Sequence, residues 1–187
     1  MRADVPLAKA YLLLNHGPVT LVSSQSGGRR NVMAASWAMP LNYEPPKVVV
    51  VIDRNTLTRE LVDASGEFAL NVPPRAFAAT TVSVGSVTGR EADKWTQFGI
   101  ATLPASRIAA PLIAGCIAWL ECRVLDERPT ERKYDLFIAE VVAASADERV
   151  FSAGRWRFAH DELRTIHYVA GGQFFAIGEP HSGRQEP

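Results

Sequence analysis

Two long apolar runs, separated by four polar residues, limit the architecture of this chain more than any other feature. "GCIAWLECRVLDERP" (115–129) and "YDLFIAEVVAASADE" (134–148) each alternate or run almost continuously apolar, and the charged turn "TERK" lies between them. Period-2 patterning of that length predicts two long antiparallel strands. Strands that outreach a simple hairpin expose long edges, and closing the sheet into a small barrel removes them. "KVVVVI" (47–52) adds an unbroken β-branched run, as expected of a strand buried on both faces. The chain therefore reads as mainly β, a β-barrel with peripheral helices.

The remaining segments decorate that barrel. "VTLVSSQ" (19–25) leads into "SGGRRN", where Gly27 and Gly28 supply the positive-φ positions of a hairpin turn, so the next strand begins near Asn31 and runs antiparallel. "DRNTLTRELVDASG" (53–66) switches to helical spacing, with Leu57, Leu61 and Val62 on one side, Asn55 or Thr56 as cap and Gly66 as terminator. "EFALNVP" (67–73) alternates again and stops at Pro73-Pro74. "RAFAATTVSVGS" (75–86) and "READKWTQFG" (90–99) read as short helical pieces around a flexible Gly85 to Gly89 link, and "LRTIHYVAGGQFFAIGE" (163–179) as a further packed segment. No repeat or linker divides the chain. Residues 1–180 are expected to form one domain, with 181–187 a polar C-terminal tail.

Composition excludes several function classes. Lys plus Arg and Asp plus Glu are 20 each among 187 residues, so no bulk field favours a nucleic acid or an anionic membrane. No apolar run reaches the roughly 18 residues of a membrane span. The N-terminal "PLAKAYLLLNHG" lacks the basic flank and cleavage site of a secretory signal, which points to a cytoplasmic protein. Cys116 and Cys122, read as lying on one strand, would be about 20 Å apart at roughly 3.3 Å per residue and cannot pair. A buried, reduced role is expected of both. There is no G-x-G-x-x-G or G-x-x-x-x-G-K, "GSVTG" (85–89) lacks the serine spacing of a nucleophile elbow, and His160 and His167 have no partners for a metal site.

The chemistry gathers in "NVMAASWAMPLNYEPP" (31–46) and in the strand and helix start just beyond it. Ala34, Ala35 and Ser36 leave backbone N–H and C=O groups unshielded, so a flat, polar-edged ring could lie against the chain and bond to its main chain. A tricyclic flavin ring is such a ligand. Pro40, Pro45 and Pro46 stiffen the connection to the 47–52 strand. "DRNTLT" then joins that strand to a helix N-terminus, which suits a phosphate, with Arg54 adding charge, Asn55, Thr56 and Thr58 adding short donors and Lys94 a second cation. By itself this segment reads more readily as a capped surface helix. The small-residue strand beside it favours the ligand.

Taken in order, the Asn-x-Met-x-x-Ser-Trp strand, the double proline, the apolar strand, the Thr-bearing loop and the Glu-Phe-x-x-Asn strand resemble the flavin reductase-like, FMN-binding split-barrel family, in particular its flavoredoxin-type branch. "DKW", "APLIAGCIAWLEC", "YDLFIAEV" and "GGQFF" fit the same pattern. The resemblance implies a six-stranded Greek-key split barrel, usually a homodimer with FMN near the subunit interface. It implies that Asn31, Met33, Ala34, Ala35, Ser36 and Trp37 meet the flavin ring. Arg54, Asn55, Thr56 and Thr58 would surround the phosphate, with Lys94 closing the site. The expected activity is an FMN-dependent oxidoreductase, a flavin reductase using NADH or NADPH, with an oxygenase or another electron acceptor as partner. A flavoredoxin-like electron-transfer protein reduced by a protein partner, or a non-catalytic flavin-binding protein, are the alternatives. Family members that use a nicotinamide often carry Gly-Asp-His where this chain has Arg132-Lys133-Tyr134, which weakens the case for NAD(P)H.

Overall fold

The computed structural model describes residues 1–183, and its first strand, β1 (Arg2–Asp4), leads through a 3-10 helix (Leu7–Leu13) into β2 (Thr20–Ser26). Gly27 and Gly28, at φ of 55° and 77°, then turn the chain into β3 (Arg29–Ala35), which begins two residues before the expected Asn31. β4 (Ala38–Tyr43) and β5 (Pro46–Val51) follow, the latter leading to helix α1 (Leu57–Ser65). Thr56 is the cap, its Oγ1 accepting the Arg59 N–H at 3.2 Å, and Gly66 ends the helix at φ 69°. β6 (Glu67–Val72), α2 (Ala78–Ser86), α3 (Lys94–Gln97) and the short pair β7 (Thr102–Leu103) and β8 (Leu112–Ile113) complete the first part.

The two long runs become β9 (Ala118–Val124) and β10 (Leu136–Asp147), antiparallel as expected. The segment between them is not a turn but a short helix, α4 (Arg128–Tyr134), with Pro129 in its first turn, where a missing N–H costs nothing. Cys116 lies before β9 rather than on it; both cysteines are buried and unpaired, and burial pushes both thiols well above their ordinary range. The chain then forms two small hairpins, β11 (Phe151–Ser152) with β12 (Arg155–Trp156) and β13 (Ile166–Ala170) with β14 (Gln173–Ala176). The second hairpin is what the packed C-terminal segment turns out to be. Residues 184–187 of the expected tail lie outside the described residues.

The main sheet has eight strands, not six, in the order β3-β2-β6-β9-β10-β5-β4, with β1 pairing to β10 beside β5. It curls around one apolar interior, to which every strand but β1 contributes, including Ala35 of β3 and Ala38 of β4. Yet β3 and β4, which close the circle and are joined by Ser36 and Trp37, are not paired with each other among the described residues. The barrel is split there, so closure does not remove every edge. A one-residue alternation assigns side chains: Phe68, Leu70 and Val72 of β6 enter the interior, while Ala69 faces a second apolar cluster under α2, α3 and residues 100–113.

Buried polar groups fasten that second layer. Asn71 donates to Leu21 O at 2.8 Å and accepts the Ile113 N–H at 2.9 Å. The Glu121 carboxylate accepts the Ser106 and Arg107 N–H groups at 2.9 and 2.6 Å. β5, by contrast, is not buried on both faces. Val48 and Val50 are fully enclosed, but Val49 and Val51 are half-buried beside the exposed Met39 and Trp37 of the neighbouring chain segment.

Candidate functional site

An unpaired sheet edge is the origin of the site. β3 bonds β2 along one side only, and the Lys94 ammonium donates to Val32 O at 3.0 Å on the other. Main-chain groups alternate between edges along an antiparallel strand, so the N–H and C=O of Ala34, two residues on, face the same free side. A side chain longer than alanine would cover them. The free edge opens into a cavity of about 360 Å³. Its walls are Asn31, Met33 and Ala34 from β3, Asn55, Thr56 and Leu57 from the start of α1, the segment Val84–Gly89 after and within the end of α2, and Lys94.

Each wall has a local cause. At the start of α1, Asp53 accepts the Asn55 N–H at 2.7 Å and Thr56 donates its hydroxyl to Asp53 O at 2.8 Å. The N–H groups of Leu57 and Thr58 have no acceptor within the helix, so the cavity ends on unsatisfied donors at the positive end of a helix dipole. Asn31 is 3% exposed, and its Nδ2 donates to Thr58 Oγ1 at 2.9 Å, tying β3 to α1. Gly89 presses on the same carboxamide: a Cβ there would stand 2.2 Å from Asn31 Oδ1. The Lys94 ammonium also donates to Val84 O at 2.7 Å, so it clamps the end of α2 to the edge of β3, and burial lowers its pKa to about 8.

A second cavity, of about 250 Å³, adjoins the first and shares Ala34, Gly85 and Ser86 with it. Ser36, Val82 and the hairpin residues Tyr168, Gly172 and Phe174 line this one.

Of the residues expected from the sequence, Asn31, Met33, Ala34, Asn55, Thr56 and Lys94 come together in the larger cavity, and Ser36 lies in its neighbour. The other four do not line either. Ala35 turns into the barrel interior, the alternate face from Ala34. Trp37 is 74% exposed on the outside of the barrel. Thr58 is fully buried behind Asn31. Arg54 is drawn away, its Nε on the Asp135 carboxylate at 3.2 Å and its Nη2 on Arg132 O at 3.1 Å. Sequence reasoning missed Val84–Gly89, Tyr168 and Phe174. The spacing of Gly85 and Gly89 holds the one available signal, and in the sequence it reads only as a failed hydrolase motif.

An eight-stranded split barrel with a preformed cavity along its open seam, floored by main-chain groups and closed by a helix N-terminus, defines a class of small-ligand-binding β proteins. The chain belongs to the family of the flavin reductase like domain, whose profile matches residues 13–167. An uncharacterised protein of Escherichia coli K12, YddH, is 43% identical over 178 residues, 94% of both chains. The FMN-binding domain of a flavin reductases-like enzyme from Shewanella baltica OS155 superimposes with a TM-score of 0.95 at 46% identity, over 98% of each chain. Flavoredoxin of Desulfovibrio vulgaris (Miyazaki F) shares the fold, with a TM-score of 0.78 over 89% of each chain at 22% identity.

Proposed function

We propose that this chain binds FMN in the larger cavity and acts as an FMN-dependent oxidoreductase, a flavin reductase that draws on NADH or NADPH. The observation that carries the reading is the convergence of Asn31, Ala34, Thr56 and Lys94, from three separated stretches of sequence, on the unpaired edge of β3. The donor set suits the cofactor: Ala34 offers main-chain groups to a ring edge, while Asn55, Thr56 and the first turn of α1 offer short donors to a phosphate. Lys94 adds a positive charge at the cavity wall. Similarity to an FMN-binding domain at 46% identity over nearly the whole chain supports the same ligand. Bound FMN would supply two-electron redox chemistry; the protein holds it, orients it and limits water at the seam.

One observation favours a second reading, electron transfer from a protein donor. Where a nicotinamide-using relative would be expected to place a histidine, Tyr134 ends α4, and Asp135 beyond it receives both Arg54 and Arg59. The position itself holds an exposed phenol rather than an imidazole, and the ion-pair hub is its neighbour. An anaerobic absorption spectrum with added FMN separates the readings. Bleaching on NADH or NADPH addition supports the reductase; bands that persist until dithionite support electron transfer. A protein that leaves the FMN spectrum unchanged refutes both.

The same reading includes a homodimer in the cytoplasm, with residues 1–180 as one domain. Trp37, Met39, Leu41 and Tyr43 are 74, 55, 49 and 65% exposed on β4 and its lead-in, beside half-buried Val49 and Val51. An apolar strip of that density is what a second copy would cover. Among the described residues no helix is long and apolar enough to cross a membrane.

A further inference from the structure

Helices α1 and α2 wall the larger cavity from two sides and have nine residues each, but they are built differently. α1 has the Thr56 cap, Glu60 in its first turn, the Arg59–Asp63 ion pair at 2.8 Å and Gly66 to end it, and it buries Leu57, Leu61 and Val62. α2, with the sequence AATTVSVGS, has no side-chain cap, no acid in its first turn and no base in its last. Apart from two alanines it consists of Thr, Val, Ser and Gly, each a poorer helix former than alanine. The hydroxyls of Thr81, Ser83 and Ser86 bond back to Phe77 O, Ala79 O and Val82 O at 2.9, 3.0 and 2.8 Å, a pattern that weakens a helix. Its buried side chains are Thr81 and Val84. What keeps α2 helical must therefore come from its surroundings.

Those surroundings hold it by little. Beyond its own flanks, the polar ties from residues 78–92 to other elements, among the described residues, are the Lys94 ammonium to Val84 O at 2.7 Å and Arg90 Nη1 to Glu60 Oε2 at 2.8 Å. The second is an exposed ion pair, which contributes little. The flanks, by contrast, are fixed. Arg75 N–H donates to Arg164 O at 2.7 Å and Phe77 N–H to Pro74 O at 2.9 Å, while Asp93 accepts the Trp95 N–H at 3.1 Å and the Thr96 hydroxyl at 2.6 Å. Between them the chain takes no part in the main sheet. Yet this segment covers the seam. α2 lines both cavities, and Gly85 lies so close to β3 that a Cβ would stand 3.5 Å from Ala34 Cβ. A flat ligand on the Ala34 main chain is thus walled in by the end of α2.

We propose that residues 78–92 are a gate, which opens by local unfolding of α2 between the fixed points at Phe77 and Asp93 and recloses over the ligand, so that flavin enters and leaves the larger cavity through that movement. Lys94 is the latch. From outside the helix its ammonium caps a carbonyl of the last turn, where a cation also suits the dipole, and it ties that turn to Val32 O on β3 at 3.0 Å. Segments that open for ligands come from the low-stability end of a fold, and α2 beside α1 is such a segment. The flavin as passenger rests on the FMN reading. The opening itself does not.

Hydrogen–deuterium exchange on the full chain reads the gate directly. Without flavin, the amides of 78–92 should exchange at least about tenfold faster than those of α1. Lys94→Met, which removes both donors, should quicken them further while α1 keeps its rate. The ligand's route is read from stopped-flow fluorescence of FMN binding and release in Ser83→Ala and Ser83→Gly. Ser83 lines neither cavity, and alanine and glycine stand far apart in helix propensity. Association and release should both be about four- to fivefold faster in the glycine variant, with the dissociation constant unchanged, because a gate alters the two directions equally. Three results would each overturn the proposal: α2 amides that exchange as slowly as those of α1, equal FMN rates in the two Ser83 variants, or a dissociation constant changed through release alone, which would make α2 a contact of the bound flavin rather than its gate. Failure of FMN to bind would refute the cofactor reading, and the exchange rates alone would then support or sink the opening.

Discussion

Replacing Gly89 by alanine tests whether the Asn31 carboxamide is held as the structure has it. The new Cβ would start 2.2 Å from Oδ1, 2.7 Å from Cγ and 3.0 Å from Nδ2, and the first of these must open by more than 1 Å to reach ordinary contact. Gly89 is not in the left-handed region, so the substitution carries no backbone strain and the whole effect is steric. The Asn31 carboxamide, 3% exposed, can give way only by leaving the bond it makes to Thr58 at 2.9 Å. Breaking that bond in a buried setting costs about 2 kcal/mol. For a domain of this size each kcal/mol moves the melting temperature by about 2–4 °C, so Gly89→Ala should melt roughly 4–8 °C below wild type. FMN affinity should fall at least about tenfold, because Asn31 and the 86–89 segment face the same cavity. Gly85→Ala is the control. Its Cβ would meet Ala34 Cβ at 3.5 Å, an ordinary contact, and alanine favours the helix, so its melting temperature should match or exceed wild type. Differential scanning calorimetry and an FMN titration read both variants. A Gly89→Ala protein that melts and binds like wild type would refute the claim that close packing on Gly89 fixes Asn31.

Single contacts elsewhere have consequences of the same kind. Thr58→Val keeps the volume but removes the acceptor of the Asn31 bond, and chemical denaturation should show a loss of about 1–2 kcal/mol. Met39→Arg puts a charge in the exposed strip of β4, and sedimentation should show a dimer for the wild type and a monomer for the variant; a wild-type monomer would refute the proposed interface. His16, whose Nε2 bonds Thr165 Oγ1 at 3.0 Å, has its pKa lowered to about 4 by burial and then by His167. The unfolded chain takes up that proton near pH 6.5 and the folded chain refuses it until about 4. Stability attached to His16 is thus complete above pH 6.5 and lost as pH falls toward 4. Urea midpoints of His16→Gln should be flatter than wild type across that window.

Much of the architecture is written in local patterns. The two apolar runs, the Gly27–Gly28 hairpin, the Thr56 cap and the Gly66 stop each depend on residues within a few positions of one another, and period and turn chemistry suffice to read them. Seven of the expected site residues line one of the two cavities, most of them because β3 and the start of α1 are short segments whose direction is set locally. Four do not line a cavity, and each departs for a reason no local pattern contains. Ala35 is placed by the alternation of a strand whose open side is known only once the sheet order is, and Trp37 by the link that carries the chain from that strand into β4. Arg54 turns to Asp135, 81 residues along the chain. Thr58 is hidden because Asn31 reaches across to it from another strand.

Sequence alone therefore determined the class of the chain: strands of barrel length, a small-residue edge, a capped helix N-terminus beside it, and no bulk charge to attract a polyanion. Tertiary structure decided where the barrel stays open, that Gly89 and the 84–88 segment form a wall, and that Tyr168 and Phe174, far along the chain from Ala34, close the seam. The physical reason is the range of the forces involved. Periodicity and capping act over one or two turns of chain, whereas a cavity is the space left between elements that meet only after the core has packed.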